Sequence, residues 1–198
     1  MIIALLAMAA QSYIANDDYP PEAVKHHHEG MVEIELVVDP AGRLADCKVT
    51  RSTRWPELDA TTCDLFRQRA KYAPARDNHG RVVGFVYRER FKWVLGQRHA
   101  ALMPAAPLDQ LHVAAVLTAP EPSIVTMSVM VSKNGAILSC DVRELASHDV
   151  ALKSVDVVDQ TCSDFARIGN HDVLKDADGN PMDYAREQKF QLVGTLKK

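Results

Sequence analysis

The segment Val32-Glu33-Ile34-Glu35-Leu36-Val37-Val38 alternates apolar and charged side chains over most of its length. Successive side chains of a strand point to opposite faces of the sheet, so this alternation predicts a strand with one buried face. Asp39-Pro40-Ala41-Gly42 follows and has the residue types of a tight turn. We therefore expect the chain to reverse here and to return as a second strand from Leu44 to Thr50.

A helix and a third strand follow this hairpin. Residues 58–71 have a helical pattern that places Cys63 and Phe66 on one stripe. Asp77-Asn78-His79-Gly80 is a second turn sequence, and the segment from Val82 to Leu95 is typical of a long aromatic strand. The predicted order of elements is therefore strand, strand, helix, strand.

The same pattern occurs a second time in the chain. At a shift of 93 residues the apolar positions of the first strand meet apolar residues again, and after the second strand the shift becomes 99. We place the difference as an insertion within residues 144–155, because surface loops tolerate added residues well. The sequence therefore predicts an internal duplication. Matching pairs include Gly42 and Gly135, Cys47 and Cys140, Cys63 and Cys162, and Phe66 and Phe165.

The duplication favours two small domains over one large domain in this chain of 198 residues. We expect a first domain at residues 17–97, a linker at 98–122, and a second, degenerate copy at 123–198. Two proline clusters lie in the linker. The apolar stretch between them, residues 108–117, could be a short helix or an extra strand.

The first ten residues predict export. Residues 1–10 are apolar and uncharged, and Ala7-Met8-Ala9 fits a small-x-small cleavage pattern. The run is too short for a membrane span, which takes about twenty apolar residues. We expect a signal peptide at residues 1–10 and a soluble exported protein, although a short buried N-terminal segment is the alternative.

The four cysteines agree with an oxidising compartment. The duplication selects the pairs Cys47–Cys63 and Cys140–Cys162 from the three possible pairings. Cys47 and Cys140 have the strand parity of the apolar face, on which the helix must pack. One disulfide in each copy would then join helix to sheet. Buried free thiols are one alternative, and a zinc site is another, although the chain has no Cys-x-x-Cys pair.

Composition and motifs argue against several function classes. A net charge of −3 gives no electrostatic case for binding nucleic acid. The chain has no nucleophile elbow, phosphate-binding loop or His-Glu-x-x-His motif, so we expect no catalytic residues and no cofactor, and the sequence identifies no small-molecule substrate. The run His26-His27-His28 reads as a solvated polar segment, and we expect no metal site there.

The first copy also resembles a known family in seven features that occur in the family's order. They are Tyr19-Pro20-x-x-Ala23, Gly30-x-Val32, Asp39-x-x-Gly42, Leu58-Asp59, Tyr72-Ala73-Pro74-Ala75, Gly80 and Trp93. Over about residues 19–95 the chain resembles the C-terminal domain of TonB-family energy transducers. The resemblance implies an α+β fold of two tandem TonB-C-like β-β-α-β domains, each a three-stranded antiparallel sheet with one helix packed on it.

The resemblance also implies a place and a partner. The family's domain lies in the periplasm and binds outer-membrane receptors, whose extended peptide adds to an exposed sheet edge. Two features depart from the family: the loop Ser52-Thr53-Arg54 has no glycine, and the cysteines are not part of the family pattern. Family transducers also have a membrane anchor and a long spacer. Only about eight residues lie between the predicted cleavage site and Tyr19, so we expect no force transmission by the usual route.

Within the family resemblance, partner binding falls on the third strand. Phe85, Tyr87, Phe91 and Trp93 should face the helix, and one edge of the strand should lack a neighbour. The basic side chains there suit an acidic or polar peptide, but they could instead protect the edge, or the second copy could cover it. The predicted partner-binding residues are Tyr19, Pro20, Val86, Arg88, Arg90 and Lys92.

The sequence therefore predicts a non-catalytic periplasmic TonB-like protein that binds a protein partner, such as an outer-membrane receptor, and that has a link to TonB-dependent transport. Two other classes stay open. One is a periplasmic thiol-disulfide enzyme or another divergent enzyme, and the other is a structural envelope protein.

Overall fold

A computed structural model describes residues 13–96, 109–117, 123–146, 155–168 and 171–196. The fold is α+β with a mixed sheet and few helices. The described residues divide into two compact units. The first contains residues 13–96 together with Lys175–Met182, and the second contains the described residues of 109–174 and those from Asp183 onward.

The first unit has the predicted order of elements. A single 3-10 turn at Asn16–Asp18 precedes them. The elements are α1 (Pro21–Lys25), β1 (Gly30–Val38), β2 (Leu44–Arg51), α2 (Pro56–Arg69), the two-residue β3 (Ala75–Arg76) and β4 (Val82–Trp93). β1 is central and pairs antiparallel with both β2 and β4, while β3 pairs with the start of β4.

The core of the first unit lies between this sheet and α2. The residues of β1 that were predicted to be buried are fully buried, and Trp93 of β4 is 2% exposed. The indole Nε1 of Trp93 donates to Thr62 Oγ1 at 2.9 Å, which satisfies the one polar atom that this ring brings into the core. The buried side chains that form the cluster include Val32, Ile34, Leu36, Leu58 and Phe66.

The hairpin turn at Asp39 explains why glycine follows three residues later. The Asp39 carboxylate accepts the N–H groups of Ala41 and Arg43, both at 2.9 Å, and so fixes the turn. Gly42 has a φ of +79°, and a Cβ there would lie 2.1 Å from the carbonyl oxygen of Tyr72. Only glycine combines this backbone conformation with so close an approach.

The second unit has four strands and one helix among its described residues. They are β5 (Asp109–Leu117), β6 (Ser123–Val131), β7 (Ile137–Ala146), α3 (Val155–Ile168) and β8 (Tyr184–Leu196). β6 pairs antiparallel with β7 and β8, while β5 pairs parallel with β8. The expected three-stranded antiparallel sheet is therefore extended here by β5, which lies in the segment that the sequence left open as helix or strand.

Corresponding strands of the two units pair in the same register. Val38 lies opposite Phe85 in the first unit, and Val131 lies opposite Tyr184 in the second, which are the positions related by the shifts of 93 and 99. The two irregularities in the β1–β2 pairing also recur at the shifted positions of the β6–β7 pairing. α2 and α3 begin and end at residues that differ by 99.

Both predicted disulfides are confirmed. Cys47 bonds to Cys63 with a Cα–Cα distance of 5.7 Å, and Cys140 bonds to Cys162 with a distance of 5.8 Å. Each bond joins a helix to the strand that precedes it, β2 to α2 and β7 to α3.

Three expectations fall on residues outside the described part of the chain. They are the signal peptide at residues 1–10, most of the range 144–155 in which the insertion was placed (residues 147–154), and the parts of the linker at residues 98–108 and 118–122.

Candidate partner-binding surface

The hydrogen bonding of β2 defines which backbone groups of the sheet face outward. Cys47 lies opposite Leu36, and its N–H and C=O are bonded to the side chains of Asp46 and Arg67. Both groups therefore face away from β1, because the N–H and C=O of one strand residue point to the same side. Leu36 must then direct its own groups toward Tyr87 of β4.

This alternation reaches the predicted site residues of β4. Tyr87 faces β1, so the N–H and C=O groups of its neighbours along the strand point away from β1. The N–H of Arg90 agrees, since it donates to the Glu89 side chain at 3.3 Å. The residues whose backbone groups share this direction are Val86, Arg88, Arg90 and Lys92.

The arginines of β4 are engaged in ion pairs across the sheet. Arg90 Nε lies 2.8 Å from Glu33 Oε1, and Arg88 Nε donates to Glu35 Oε2 at 3.2 Å. Arg51 of β2 approaches Glu33 from the other side at 3.8 Å. Opposite charges on neighbouring strands thus compensate one another on the face away from α2. The positive charge that the sequence predicts along β4 is consequently weaker than the sequence implies.

Glu33 lies deeper than a solvent-facing strand residue. It is 8% exposed, although the alternation of the sequence predicts an open position. The flanking arginine side chains cover it, since long basic side chains lay their apolar stems along a surface while the charged group stays near water. A sequence pattern indicates which face of a strand a residue lies on. It does not indicate whether long neighbouring side chains cover that residue, so the burial of Glu33 was not predicted.

Tyr19 is held firmly at the end of β4. Its hydroxyl donates to the carbonyl oxygen of His28 at 2.6 Å, and its ring meets Trp93 edge-on at a centroid distance of 5.0 Å. Burial and the nearby Glu29 carboxylate raise the pKa of Tyr19 to about 12. Since Trp93 faces the helix, Tyr19 lies on the helix side of the sheet, whereas Arg88 and Arg90 face the other way.

Pro20 and Val86 complete the set of predicted residues. Pro20 precedes α1 and starts it from an extended conformation, as proline near a helix N-terminus favours. Val86 is 5% exposed and lies opposite Val37, so it offers backbone groups and little side-chain surface. The structure thus brings together the three basic residues of β4 and does not bring Tyr19 and Pro20 onto the same face.

The histidine run forms a small aromatic cluster. The His28 imidazole stacks on Trp55 at a centroid distance of 3.5 Å, and its Nδ1 lies 2.5 Å from Glu57 Oε1. This bond lowers the pKa of the Glu57 carboxyl. No group of three or more metal-ligating side chains occurs within the described residues. The cluster therefore attaches the start of β1 to the start of α2.

Asp59 organises the loop that departs from the family pattern. Its carboxylate accepts the hydroxyl of Ser52 at 2.5 Å and both the N–H and hydroxyl of Thr53 at 2.8 Å. Arg54, at the position where the family has glycine, has a φ of +81°. The carboxylate network thus holds a residue with a side chain in the left-handed conformation, which costs about 1 kcal/mol or more. The motif Leu58-Asp59 was the only sequence signal for this role.

Residues 15–95 match the family model described as the Gram-negative bacterial TonB protein C-terminal. Over these residues the chain is similar to the TonB C-terminal domain. The matched residues lie in the first unit. The family is a non-enzymatic protein-interaction domain, which is consistent with the expectation that the chain is not an enzyme. Neither the curated proteins nor the solved structures give a match.

TonB-like domains belong to proteins of the bacterial envelope. Among the described residues, no helix has the length and apolar character needed to cross a membrane.

Proposed function

We propose that this chain is a non-catalytic periplasmic protein that binds a protein partner in connection with TonB-dependent transport across the outer membrane. The observation that carries the proposal is the TonB-C-like domain at residues 15–95. Its strand β4 directs the backbone groups of Val86, Arg88, Arg90 and Lys92 away from β1. An extended peptide that adds to a sheet edge bonds to backbone groups of this kind.

The peptide would be held mainly by the main chain of β4. Arg88 and Arg90 already pair with Glu35 and Glu33, so their charge adds little attraction for an acidic peptide. Lys92, next to the Trp93 end of the strand, supplies the remaining positive charge. Tyr19 and Pro20 would then act by fixing that end of the domain from the helix side.

We further propose that residues 123–198 are a degenerate copy of the domain at residues 17–97, and that residues 98–122 are the linker between them. The shared strand register, the shared irregularities and the equal helix bounds support this. Gly135 supports it as well: a Cβ there would lie 2.8 Å from the His171 carbonyl oxygen, as one at Gly42 would meet Tyr72. Export through a signal peptide at residues 1–10 is part of the same proposal.

Thiol-disulfide chemistry is not favoured at the disulfide of the first unit. Cys47 and Cys63 are 6% and 5% exposed, and the cysteines of the described residues are all in disulfides. A reactive disulfide in a redox enzyme needs an accessible sulfur.

The test is a proline scan of β4 with a matched charge control. Arg88→Pro and Arg90→Pro each remove an N–H that faces away from β1, whereas Arg88→Gln and Arg90→Gln remove the same charge and keep the N–H. Periplasmic cross-linking and pull-down should recover TonB-dependent receptors with the wild type and both glutamine variants. Both proline variants should lose most of this capture.

Folding must be checked separately in the proline variants. Retained disulfides and an unchanged circular dichroism spectrum show that the sheet is intact. Equal capture by folded proline variants would contradict binding at this edge, and recovery of no outer-membrane receptor by the wild type would contradict the link to transport.

A further inference from the structure

The outer edge of β2 is a second place where an extended strand could add. β2 pairs with β1, and no other described strand lies beside it. An edge strand with unpaired N–H and C=O groups is a template for pairing with another chain. The groups that matter are those of residues whose N–H and C=O point away from β1.

At the centre of the edge, the side chains of Asp46 and Arg67 form hydrogen bonds with the outward backbone groups of Cys47. The N–H of Cys47 donates to Asp46 Oδ1 at 2.8 Å. The carbonyl oxygen of Cys47 accepts from Arg67 Nη2 of α2 at 3.2 Å. Asp64 holds the other arm of the same guanidinium, since Arg67 Nη1 donates to its carboxylate at 3.1 Å. A strand approaching β2 would have to displace both contacts before it could bond to Cys47.

The disulfide keeps this arrangement in place. Cys47 is tied to Cys63, which lies one residue before Asp64 and one turn before Arg67 on α2. The helix therefore holds the guanidinium at the height of the Cys47 carbonyl.

The regular part of the edge is short. The β1–β2 pairing is irregular between Val37 and Val38 and again between Glu33 and Ile34, which leaves a regular run of Asp46 to Val49. Within this run only Cys47 and Val49 direct their backbone groups outward. Asp46 and Arg67 thus block one of the two residues that an incoming strand could use.

The second unit has the same strand pairing and the same helix-to-strand disulfide without these two side chains. β7 pairs with β6 in the same register and has the same disulfide to its helix. At the positions related by 93 and 99 residues it has Ser139 in place of Asp46 and Ala166 in place of Arg67. An alanine side chain has no donor for a strand carbonyl. Asp46 and Arg67 are therefore a feature of the first unit that the shared strand pairing and disulfide do not require.

We propose that Asp46 and Arg67 close the outer edge of β2 to strand addition by bonding the N–H and C=O of Cys47, so that a second copy of this chain cannot pair there. The inference does not depend on the proposed partner of β4. It adds to the proposed function by removing β2 as a competing edge for an extended peptide.

The test opens the edge and measures self-association of the full-length exported protein. Asp46→Ala/Arg67→Met removes the acceptor and the donor and leaves the net charge unchanged. Sedimentation velocity should show a mass that rises with concentration above that of the wild type. Hydrogen exchange should show faster exchange of the Cys47 amide, which confirms that its contact is lost.

A conservative variant tests whether the hydrogen bonds to Cys47, and not the identity of the two side chains, prevent the association. Asp46→Asn/Arg67→Lys keeps one acceptor oxygen and one donor, so it should sediment as the wild type does. Val49→Pro added to the opened variant removes the remaining outward N–H of the run and should abolish the association. If the double change disturbs the disulfide, the same comparison is made with Arg67→Met alone.

Two results would overturn the inference. One is an opened variant that exchanges its Cys47 amide rapidly but sediments as the wild type at every concentration. The other is equal association of the opened and conservative variants, because the backbone bonds of Cys47 would then have no part in it. Neither result bears on capture at β4, which the proline scan tests separately.

Discussion

Single side chains attach the N-terminal segment of the first unit to the end of α2. Arg69 donates to both carboxylate oxygens of Asp18, each at 2.6 Å, and to the carbonyl oxygen of Tyr13 at 3.0 Å. Asp18 also accepts the N–H of Ala15 at 2.7 Å. The bonds from Arg69 and Ala15 lower the pKa of the Asp18 carboxyl to about 2.

This pKa predicts how stability responds to acid. A carboxyl whose pKa is lower in the folded state stabilises the fold above its unfolded pKa of about 4, and this contribution is lost as the pH falls through about 2. We expect Asp18→Asn to lower the melting temperature relative to the wild type at pH 5–7 and to lose this difference toward pH 2. Thermal melts across this range check it, with the exposed Asp17→Asn as control. A difference that persists unchanged at pH 2 would contradict the assignment.

Sequence patterns identify buried residues better than they identify the partners of polar atoms. The parity of β4 correctly predicts that Trp93 faces the helix and is buried. It does not predict that Thr62 accepts the indole N–H, or that Arg88 and Arg90 are paired with Glu35 and Glu33. Periodicity gives the face of a residue, whereas a hydrogen bond also needs the register of two elements distant in sequence.

At the scale of elements, most of the first unit follows from its own sequence. α2 begins at Pro56, two residues before the helical pattern does, because proline suits the first helical position. For the segment of β5 in the second unit, the sequence allows either a helix or a strand. A short apolar stretch reads the same in either state, and only its parallel pairing with β8 decides between them.

The disulfide between β2 and α2 should contribute measurably to stability. A bridge across a sequence separation of 16 residues restricts the unfolded chain by about 3 kcal/mol. We expect Cys47→Ser/Cys63→Ser to lower the free energy of unfolding by roughly 2–5 kcal/mol. Both tryptophans of the chain, Trp55 and Trp93, lie in the first unit, so urea denaturation followed by tryptophan fluorescence reports on it.

The second disulfide is the matched control. Cys140→Ser/Cys162→Ser removes the equivalent bridge of the second unit, and the tryptophan transition should change much less. A larger shift from this pair than from Cys47 and Cys63 would show that the transition does not belong to the first unit.

At the scale of the molecule, sequence alone could not assign the segment Lys175–Met182 to the first unit. The repeat alignment places it in the second copy. In the structure Asp178 accepts from Arg43 Nη2 at 2.7 Å, and Arg43 Nε also donates to Asp39 at 2.8 Å. Both hydrogen bonds raise the pKa of the Arg43 guanidinium, and the bond to Asp178 contributes more than the bond to Asp39. Contacts between segments so distant in sequence leave no local pattern.

The candidate site could be predicted only in part, because the directions of its backbone groups depend on the pairing register of strands distant in sequence. The resemblance pointed to β4 as the binding strand, and the register then fixed which of its residues direct backbone groups away from β1. The closure of β2 by Asp46 and Arg67 could not be predicted, because neither residue belongs to a pattern of the family or of the helix.

The ion pair of Arg43 with Asp178 and the burial of Met182 both hold the segment Lys175–Met182 against the first unit, and they are expected to contribute different free energies. The side chains of Arg43 and Asp178 are 49% and 63% exposed, and ion pairs so exposed contribute about 0.2–1 kcal/mol. Met182 is 5% exposed, and a Cβ at Gly84 would lie 2.7 Å from its sulfur, so it packs directly on β4. Removing a buried methionine side chain costs about 2–5 kcal/mol.

We therefore expect Met182→Ala to lower the free energy of unfolding of the first unit by roughly 2–5 kcal/mol. Asp178→Asn should lower it by about 1 kcal/mol or less, because this ion pair is exposed. Arg43→Gln should lower it further, since it also removes the donor to the buried Asp39 carboxylate. Urea denaturation followed by tryptophan fluorescence measures the three variants against the wild type. If Asp178→Asn costs more than Met182→Ala, this segment is held by charge and not by burial of Met182.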